Sequence, residues 1–385
     1  MASRGYEVTV VTALPNYPFG KAYSGYGRFW PDIRNEDGVK VVRLPVVMAA
    51  NRFPAFRIAS FVSFVISSFI WLFFSDRHDV IIATVPPATV APLGYTLSKI
   101  KKIPVIMSLY DIEPLRSFDL RGKAKIPGAR YIIRIFMRLY DKADRIVVPV
   151  MNEYRILVGH GVNPTKIEII THGVDIDKFL ASSLANQTHK LAKIPGRKIF
   201  LYLGTIGVAH DLESILYLFS DHSIRDLPVE LLIIGDGERA PECRKIIREN
   251  NLDNVKIFPS IPHEQVPSVL VQADVLVISL ARGLKVHGAK LFDCLAAGKP
   301  VLANDSGVIK DIIKSIGNGW FFDRDNPESL YTALTDIIRR PERELAEMGL
   351  KGREYAKIHF NAKEKHDRWE QLFLEIAGEK GRRNR

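Results

Sequence analysis

Short runs of apolar, β-branched residues alternate with helix-length segments along almost the whole chain. Several of these runs are apolar at every position, which is typical of parallel strands that helices cover on both faces. The alternation therefore predicts an α/β fold with parallel sheets. The predicted strands are Glu7–Thr12, Val39–Leu44, Asp79–Thr84, Pro104–Leu109, Arg145–Val150, Ile167–Thr171, Lys198–Leu203, Val229–Ile234, Val255–Phe258, Asp274–Ser279 and Pro300–Ala303.

A polar segment interrupts this alternation between Leu180 and Pro195. It is rich in Ser, Ala, Asn, Gln and Lys and contains no predicted strand, which indicates a linker. A chain of 385 residues is also too long for one ordinary core. The predicted organisation is an N-terminal domain over 1–180, a linker over 181–196, a C-terminal domain over 197–360, and a helix over 361–385 that returns toward the N-terminal domain. Ligands of parallel sheets bind beyond the carboxyl ends of the strands, so we expect the active site in the cleft between the domains.

The positive charge of the chain is concentrated in residues 1–150. This part has 21 Lys and Arg against 11 Asp and Glu, whereas the remainder has 33 against 32. A basic half indicates an anionic partner, such as phospholipid head groups or a phosphorylated acceptor, and the alternative is a solvated surface that aids solubility. No RNP, helix-turn-helix or zinc signature accompanies the basic half, so nucleic acid is not expected as a partner. With only Cys243 and Cys294, far apart and outside any His cluster, the chain is not expected to build a structural metal site.

Two segments of the N-terminal half suggest contact with a membrane. Ile58–Phe74 is uncharged, but it is short for a spanning helix, and we predict a buried or interfacial helix. Arg130, Arg134 and Arg138 recur at four-residue spacing with apolar residues on the other faces, a pattern typical of a basic amphipathic helix lying on anionic lipid. An ordinary surface helix that covers its own core would show the same pattern.

Two turns after predicted strands contain glycine. The first includes Gly204, Thr205, Ile206, Gly207 and His210, and a second turn contains Gly235. Glycine lets a backbone approach a phosphate, and the start of the following helix supplies free N–H groups. A tight turn that needs glycine for steric reasons alone is an equally good interpretation.

The segment around Gly288 and Ala289 carries the sharpest signal in the C-terminal half. Small residues at a helix start leave the first N–H groups open, and Lys290 adds a positive charge beside them, which favours a diphosphate site. Asp293 lies one turn further along and is expected to accept hydrogen bonds from a ribose. The alternative is a packing helix of small residues with a surface Lys–Asp pair. In the N-terminal half, Asp111 follows a strand and is expected to orient the acceptor or to accept its proton, with turn capping as the alternative.

The run Ala289–Val301 resembles the PSK-x-x-E-x-x-A-x-GKPV segment of glycosyltransferase family 4, whose members are retaining enzymes of GT-B architecture. Residues 143–148 and 169–179 resemble the AD-x-I-V and NGVD-x-x-x-F signatures of the same family. The resemblance extends from Tyr6 to about Phe360. Its first glycine loop and residues 108–114 are most similar to the bacterial surface-polysaccharide branch.

This resemblance implies two Rossmann-like domains with parallel sheets facing a central cleft. It implies transfer of a sugar from a UDP-, GDP- or other nucleoside diphosphate sugar to a hydroxyl, with a polyprenyl-linked or other glycan as the expected acceptor. It also implies a cytoplasmic enzyme, peripheral on the inner face of the plasma membrane, that requires no metal and no further cofactor. Asp111, Lys290 and Asp293 are the expected catalytic residues. The expected nucleotide-sugar contacts are Gly204, Thr205, Ile206, Gly207, His210, Gly235, Phe258, Pro259, Lys285, Gly288, Ala289, Lys290, Leu291 and Asp293.

The sequence also departs from the family pattern. Thr205 and His210 stand where many members pair an Arg and a Lys, and Lys285 stands where the family has an acidic residue. We therefore expect Lys285 and Lys290 to supply the positive charge that the first loop lacks. The first strand and glycine-rich loop of the family are absent from the sequence, so we expect exposed sheet edges and weak catalysis that an upstream strand would restore. A nucleotide-sugar epimerase and a non-catalytic sugar-nucleotide-binding or scaffold protein are the alternative interpretations.

Overall fold

The structure is a computed structural model that describes residues 1–16, 20–27, 29–48, 54–115, 118, 128–184, 191, 194–282, 289–304 and 307–383. The chain divides into two compact units. The first unit comprises Met1–Thr171 together with Lys365–Arg385, and the second comprises His172–Glu364. The final segment of the chain therefore belongs to the same unit as its beginning.

The strands of the first unit form two sheets. They are β1 (Val8–Ala13), β2 (Asp32–Glu36), β3 (Val39–Leu44), β4 (Ile81–Val85), β5 (Val105–Leu109), β6 (Arg145–Val148) and β7 (Ile167–Ile169). One sheet has the order β1-β3-β2, in which β1 is parallel and β2 antiparallel to β3. The other has the order β4-β5-β6-β7 and is parallel throughout. The helices are α1 (Pro54–Phe74), α2 (Val90–Lys101), α3 (Ala129–Asp141), α4 (Met151–Gly159) and the C-terminal helix (Ala362–Arg383).

Helices cover both faces of the parallel sheet in the first unit, which explains why its strand β5 is buried at every position. On one face, Met107 of β5 lies in a core with Tyr140 of α3. On the other face, Ile106 of the same strand lies in a core with Leu372 and Ile376 of the C-terminal helix. Successive residues of a strand point to opposite faces, so β5 contributes to both cores.

Strands β1 and β4 stand at the ends of their sheets. Within the described residues each has a hydrogen-bonded strand on one side. Val10 of β1 and Ile82 of β4 are 43% and 45% exposed, which is high for apolar residues of a parallel sheet. Helix α1 packs on β1 and β3, α2 packs on β4 and β5, and α1 contacts α2.

The second unit contains one parallel sheet of order β10-β9-β8-β11-β12-β13. Its strands are β8 (Lys198–Leu203), β9 (Val229–Ile234), β10 (Val255–Phe258), β11 (Val275–Ile278), β12 (Val301–Asn304) and β13 (Gly319–Phe322). Its helices are α5 (Ile176–Leu184), α6 (Leu212–Phe219), α7 (His222–Arg225), α8 (Ala240–Glu249), α9 (Val266–Leu270), α10 (Ala289–Ala296), α11 (Gly307–Ile316), α12 (Pro327–Arg339) and α13 (Glu342–His359). The chain adds strands outward from β8 and then returns to place β11 on its other side. Such a reversal of strand order is where doubly wound sheets bind ligands.

The predicted α/β class with parallel sheets is confirmed, and two strands differ from the sequence-based prediction. Strand β2 was not expected, because its sequence is polar and it pairs in an antiparallel hairpin at a sheet edge. Asp37 and Gly38 at its turn have φ of 50° and 81°, the left-handed conformation that tight hairpin turns require. Strand β13 was also not expected. Helix α5 extends to Leu184, and thus into the predicted linker, because Ile176 and Phe179 anchor it in the core of the second unit.

None of the helices in the described part of the chain combines the length and the hydropathy needed to cross a membrane. The predicted helix over Ile58–Phe74 is present as α1, and one of its faces is exposed. Ile58 is 63% exposed, Ile66 and Ile70 are 54% exposed, and Phe74 is 82% exposed.

The role of the C-terminal helix in the core of the first unit can be tested with two leucines of that helix. Leu372 is fully buried, whereas Leu374 is 59% exposed. We expect Leu372→Ala to lower the free energy of unfolding by about 2–5 kcal/mol, because it leaves a cavity beside Ile106 and Val147. Leu374→Ala should change it by less than about 0.5 kcal/mol. Urea unfolding followed by tryptophan fluorescence measures both, and equal losses would contradict this packing.

Candidate functional site

Three loops meet at the carboxyl ends of β8, β9 and β10. The N–H of Gly204 donates to the carbonyl of Ile234 at 2.9 Å, and the N–H of Ile206 donates to the carbonyl of Asp236 at 2.9 Å. The N–H of Gly235 donates to the carbonyl of Phe258 at 3.1 Å. The hydrogen bonding of the strands thus continues into the loops and fixes their mutual positions.

Glycine is required at two of these positions for packing. A Cβ on Gly235 would lie 1.9 Å from the carbonyl oxygen of Gly204, and a Cβ on Gly237 would lie 2.3 Å from that of Ile206. Neither backbone oxygen can move without breaking the loop. The close packing of the two loops is therefore sufficient to explain why residue 235 is a glycine.

Ile206 serves as the anchor of the first loop. Its side chain is fully buried in the core, its N–H is bonded to Asp236, and its carbonyl accepts the N–H of Arg239 at 3.1 Å. These bonds use the N–H of Ile206 and one lone pair of its carbonyl within the loops, and a contact of Ile206 with a nucleotide stays a prediction. Leu291 is also fully buried, so its side chain belongs to the core.

Lys290 belongs to the first turn of α10, and its side chain lies against the loop that follows β8. A Cβ on Gly204 would be 2.4 Å from its Cε, so the absence of a side chain at Gly204 makes room for the lysine. Its Nζ is 4.0 Å from the centroid of the Tyr202 ring and donates a hydrogen bond to the Tyr202 hydroxyl. Tyr202 is fully buried, and its hydroxyl donates to the carbonyl of Thr205 at 2.6 Å.

Burial controls the charge of Lys290. Within the described residues no carboxylate forms an ion pair with it, and burial lowers the pKa of Lys290 to about 7. A lysine in this state is partly neutral at neutral pH. An anion placed beside Nζ would favour the charged form and raise the pKa again.

His210 also lies against Tyr202, with ring centroids 6.3 Å apart. Burial, and then the charge of Lys290, lower the pKa of His210 to about 4, although a contact with the backbone of Ser279 opposes the shift. The ring is therefore neutral at neutral pH. Its Nδ1 is buried and has no hydrogen-bond partner within the described structure. A buried polar atom without a hydrogen-bond partner is costly, so Nδ1 of His210 reduces the stability of the protein in this state.

Asp293 lies one turn beyond Lys290 on α10 and is half-buried. Burial raises the pKa of Asp293 to about 6, and the neighbouring His263 opposes this shift. Phe258 and Pro259, at the end of β10, are exposed, as is Thr205 in the first loop. These groups remain accessible at the same edge of the sheet.

The remaining predicted positions are distributed as follows. Ala289 is the first residue of α10, and Lys285 and Gly288 lie outside the described residues. Asp111 belongs to the first unit, where it follows β5 and its carbonyl accepts the N–H of Glu113 at 3.0 Å. The structure therefore brings together Gly204, Thr205, Gly207, His210, Gly235, Lys290 and Asp293 within the second unit.

Sequence reasoning missed Tyr202. The predicted strand Lys198–Leu203 assigns Tyr202 no polar role, but its hydroxyl accepts a hydrogen bond from Lys290. The available signal was its phenol, because a tyrosine in a strand that is buried on both faces needs a polar partner.

The fold of the chain is that of GT-B glycosyltransferases, with two Rossmann-like α/β units. The sucrose-phosphate synthase of Thermosynechococcus elongatus superposes with a TM-score of 0.71 at 17% identity, covering 97% of this chain and 90% of that one. HepE of Anabaena, in a structure with UDP-glucose, superposes with a TM-score of 0.61 at 16% identity, covering 87% of this chain and 86% of that one.

Two sequence models cover most of the chain. The model described as Glycosyltransferase Family 4 matches residues 1–178, and that described as Glycosyl transferases group 1 matches residues 185–355. The chain belongs to glycosyltransferase family 4. The putative colanic acid biosynthesis glycosyl transferase WcaI of Escherichia coli is 26% identical over 311 residues, which are 77% of this chain and 75% of that protein. Two further curated relatives are matched over 58% and 57% of their own lengths.

The packing of the glycine loops can be tested with two substitutions that add the same methyl group. Gly235→Ala should lower the free energy of unfolding by about 1–3 kcal/mol, because its Cβ meets a backbone oxygen that cannot yield. Gly207→Ala should be tolerated, since its nearest neighbour would be 3.7 Å away. Thermal unfolding of the two variants measures the difference, and a stable Gly235→Ala variant would show that the loops can separate.

Proposed function

We propose that this protein transfers a sugar from a nucleoside diphosphate sugar to a hydroxyl of a lipid-linked glycan in surface polysaccharide synthesis, with retention of the anomeric configuration. The observation that carries the proposal is Lys290, a half-buried lysine that has no carboxylate partner among the described residues and lies beside the loop that joins β8 to α6. WcaI, named for colanic acid biosynthesis, and HepE, solved with UDP-glucose, support the donor class and the pathway class.

The chemical task is to stabilise a departing diphosphate. In this proposal Nζ of Lys290 and the N–H groups at the start of α10 face the diphosphate, together with the N–H groups of Thr205 and Gly207. The bound diphosphate favours the charged form of Lys290, and donors whose positions are already fixed stabilise the developing negative charge with little reorganisation. Because the protein supplies this charge, we propose that the reaction needs neither a metal ion nor a further cofactor.

Other groups at the same edge match the remaining parts of the donor. Asp293 offers two acceptor oxygens to the adjacent hydroxyls of a ribose, and exposed Phe258 and Pro259 offer a surface to the base. His210 is proposed to contact the sugar phosphate from the first loop. His210 acts there through hydrogen bonding, because its lowered pKa keeps it neutral. Asp111 is proposed to orient the acceptor hydroxyl from the first unit.

We also infer that the first unit lies on the cytoplasmic face of an anionic membrane. Helices α1, α2 and α3 are neighbours in one layer, since α2 contacts both others. Arg130, Arg134 and Arg138 of α3 are exposed, and so are Tyr131 and Ile135 between them. The three helices contain one acidic residue, Asp141, at the end of α3. A layer with exposed cations and apolar side chains matches the surface of an anionic bilayer.

The donor site predicts a loss of nucleotide affinity that depends on pH. Lys290→Ala should weaken the binding of UDP or GDP by about 1.5–3 kcal/mol, the range for hydrogen bonds to charged groups. In the parent, affinity should fall as pH rises above about 7, because free Lys290 then loses the proton that the diphosphate needs. Calorimetry measures the affinity for UDP or GDP, from about one pH unit below the pKa of Lys290 to about two units above it. It thus gives both the loss of affinity in Lys290→Ala and the pH dependence of the parent. Lys290→Ala should remove this part of the pH dependence.

The control for this experiment is Lys245→Ala. Lys245 is a lysine of the same unit whose side chain is 52% exposed and pairs with Glu242. Its removal should leave affinity and pH dependence unchanged. Sugar transfer to a polyprenyl-linked acceptor should fall with Lys290→Ala as well. Equal affinity of the parent and Lys290→Ala for every nucleoside diphosphate would remove this site from the proposal.

Membrane association is tested by replacing Arg130, Arg134 and Arg138 with alanine. Each basic residue near an anionic surface contributes about 1 kcal/mol, so the triple variant should sediment far less with phosphatidylglycerol vesicles.

The matched control removes three exposed cations from a helix of the second unit. These are Arg244, Lys245 and Arg248 of α8, so the net charge changes by the same amount as in the α3 variant. The control variant should sediment with vesicles as the parent does. If both triple variants sediment equally, α3 is an ordinary solvated surface.

A further inference from the structure

Arg324, in the loop after β13, is held in the interior of the second unit. Its side chain is 11% exposed. One guanidinium nitrogen donates to the carboxylate of Asp211, and another donates to the carbonyl of Leu280. The residue thus joins the loop that follows β8 to the loop that follows β11. These two strands are neighbours in the sheet, at the point where the strand order reverses.

Asp211 has an unusual backbone conformation. Its φ and ψ are 44° and 52°, the left-handed region that residues other than glycine rarely adopt. It precedes α6 without capping the helix through its side chain. Its carboxylate is instead held by Arg324 on one oxygen and by the hydroxyl of Ser214, at 2.8 Å, on the other.

The same two loops are joined by further hydrogen bonds. The N–H of Ala281 donates to the carbonyl of Ala209 at 2.9 Å, directly before His210. Asn304, at the end of β12, exchanges two hydrogen bonds with the backbone of Leu280, at 3.1 Å and 2.7 Å. Asn304 thereby fixes the backbone of Leu280. Because Arg324 bonds to both Leu280 and Asp211, it holds Asp211 at a fixed distance from this backbone.

We propose that Arg324 is a positioning residue for nucleotide binding. Through Asp211 it fixes the end of the first loop, so that His210 faces Tyr202 and Lys290 before any ligand arrives. This inference rests on the proposed nucleotide site. A loop that is already placed binds its ligand without a further loss of conformational freedom, so the ion pair contributes to affinity although Arg324 itself need not touch the nucleotide.

A second ion pair on α6 provides the matched control. Glu213 accepts a hydrogen bond from Arg239 at 2.5 Å, and the Arg239 side chain is 46% exposed. This pair involves the same helix and the same kind of charged groups as the pair of Arg324 with Asp211. It does not hold a residue in the left-handed conformation, and solvent screens the pair at its exposed arginine.

The test is a double-mutant cycle on affinity for UDP and GDP. Arg324→Gln and Asp211→Asn should each weaken binding on the order of tenfold, and the double variant should bind no more weakly than the weaker single variant. Arg239→Gln should bind as the parent does. Additive losses, or unchanged affinity in both single variants, would overturn the inference.

Two further variants separate positioning from folding and from backbone preference. Arg324→Lys keeps the charge near Asp211 but cannot reach Leu280 at the same time, so it should fold and show an intermediate loss of affinity. Asp211→Gly accepts the left-handed conformation without the ion pair and should bind as weakly as Asp211→Asn. Parent-like affinity of Asp211→Gly would overturn the inference, because the backbone conformation alone would then suffice.

The same measurements distinguish this inference from the proposed function. If the parent binds a nucleoside diphosphate and Lys290→Ala weakens that binding, the donor site stands whatever Arg324→Gln does. In that case, parent-like affinity of Arg324→Gln removes only the positioning role. A parent that binds neither UDP nor GDP would overturn the donor site and this inference with it.

Discussion

The close approach of backbone to backbone at the carboxyl ends of β8 and β9 is the constraint on which the second unit depends. Gly235 and Gly237 lie against the carbonyl oxygens of Gly204 and Ile206, at separations that exclude any side chain. Because the loops are held this tightly, the space above Gly204 is left to a single long side chain, that of Lys290. The position of the half-buried Lys290 is therefore a consequence of glycine packing between the loops, and not of a charged partner.

The site combines groups that are costly in the free protein. Lys290 is half-buried, with the phenol and the ring face of Tyr202 as its partners. His210 has a buried nitrogen, Nδ1, with no hydrogen-bond partner within the described structure. Asp293 is also partly desolvated, which raises its pKa to about 6. Polar groups that are left in this condition reduce stability, and proteins commonly accept that cost where a ligand will satisfy them.

Much of the fold could be predicted from the sequence, because continuous apolar runs mark parallel strands that are covered on both faces. Lys198–Leu203, Val229–Ile234 and Val255–Phe258 were placed with the bounds that the structure shows. Strand β2 could not be predicted from apolar residues, because it is a polar strand of a hairpin at the edge of the sheet. The Asp37-Gly38 pair at its turn is the sequence signal that indicates a hairpin. The spacing of Lys290 and Asp293 predicts that they lie one turn apart on a helix, and both lie on α10, whereas their roles toward a ligand stay predictions. The contact of Arg324 with Asp211 could not be predicted, since it joins residues 113 positions apart through tertiary packing.

The order of the chain has a consequence for its synthesis. The second unit is inserted between the two parts of the first, and the C-terminal helix supplies Leu372 and Ile376 to the core around Ile106. On the ribosome, all the strands of the second unit emerge before that helix does. The second unit can therefore complete its core during translation, whereas the first unit must wait with one face of its parallel sheet uncovered. During that interval the nascent first unit presents apolar surface to chaperones and to other chains.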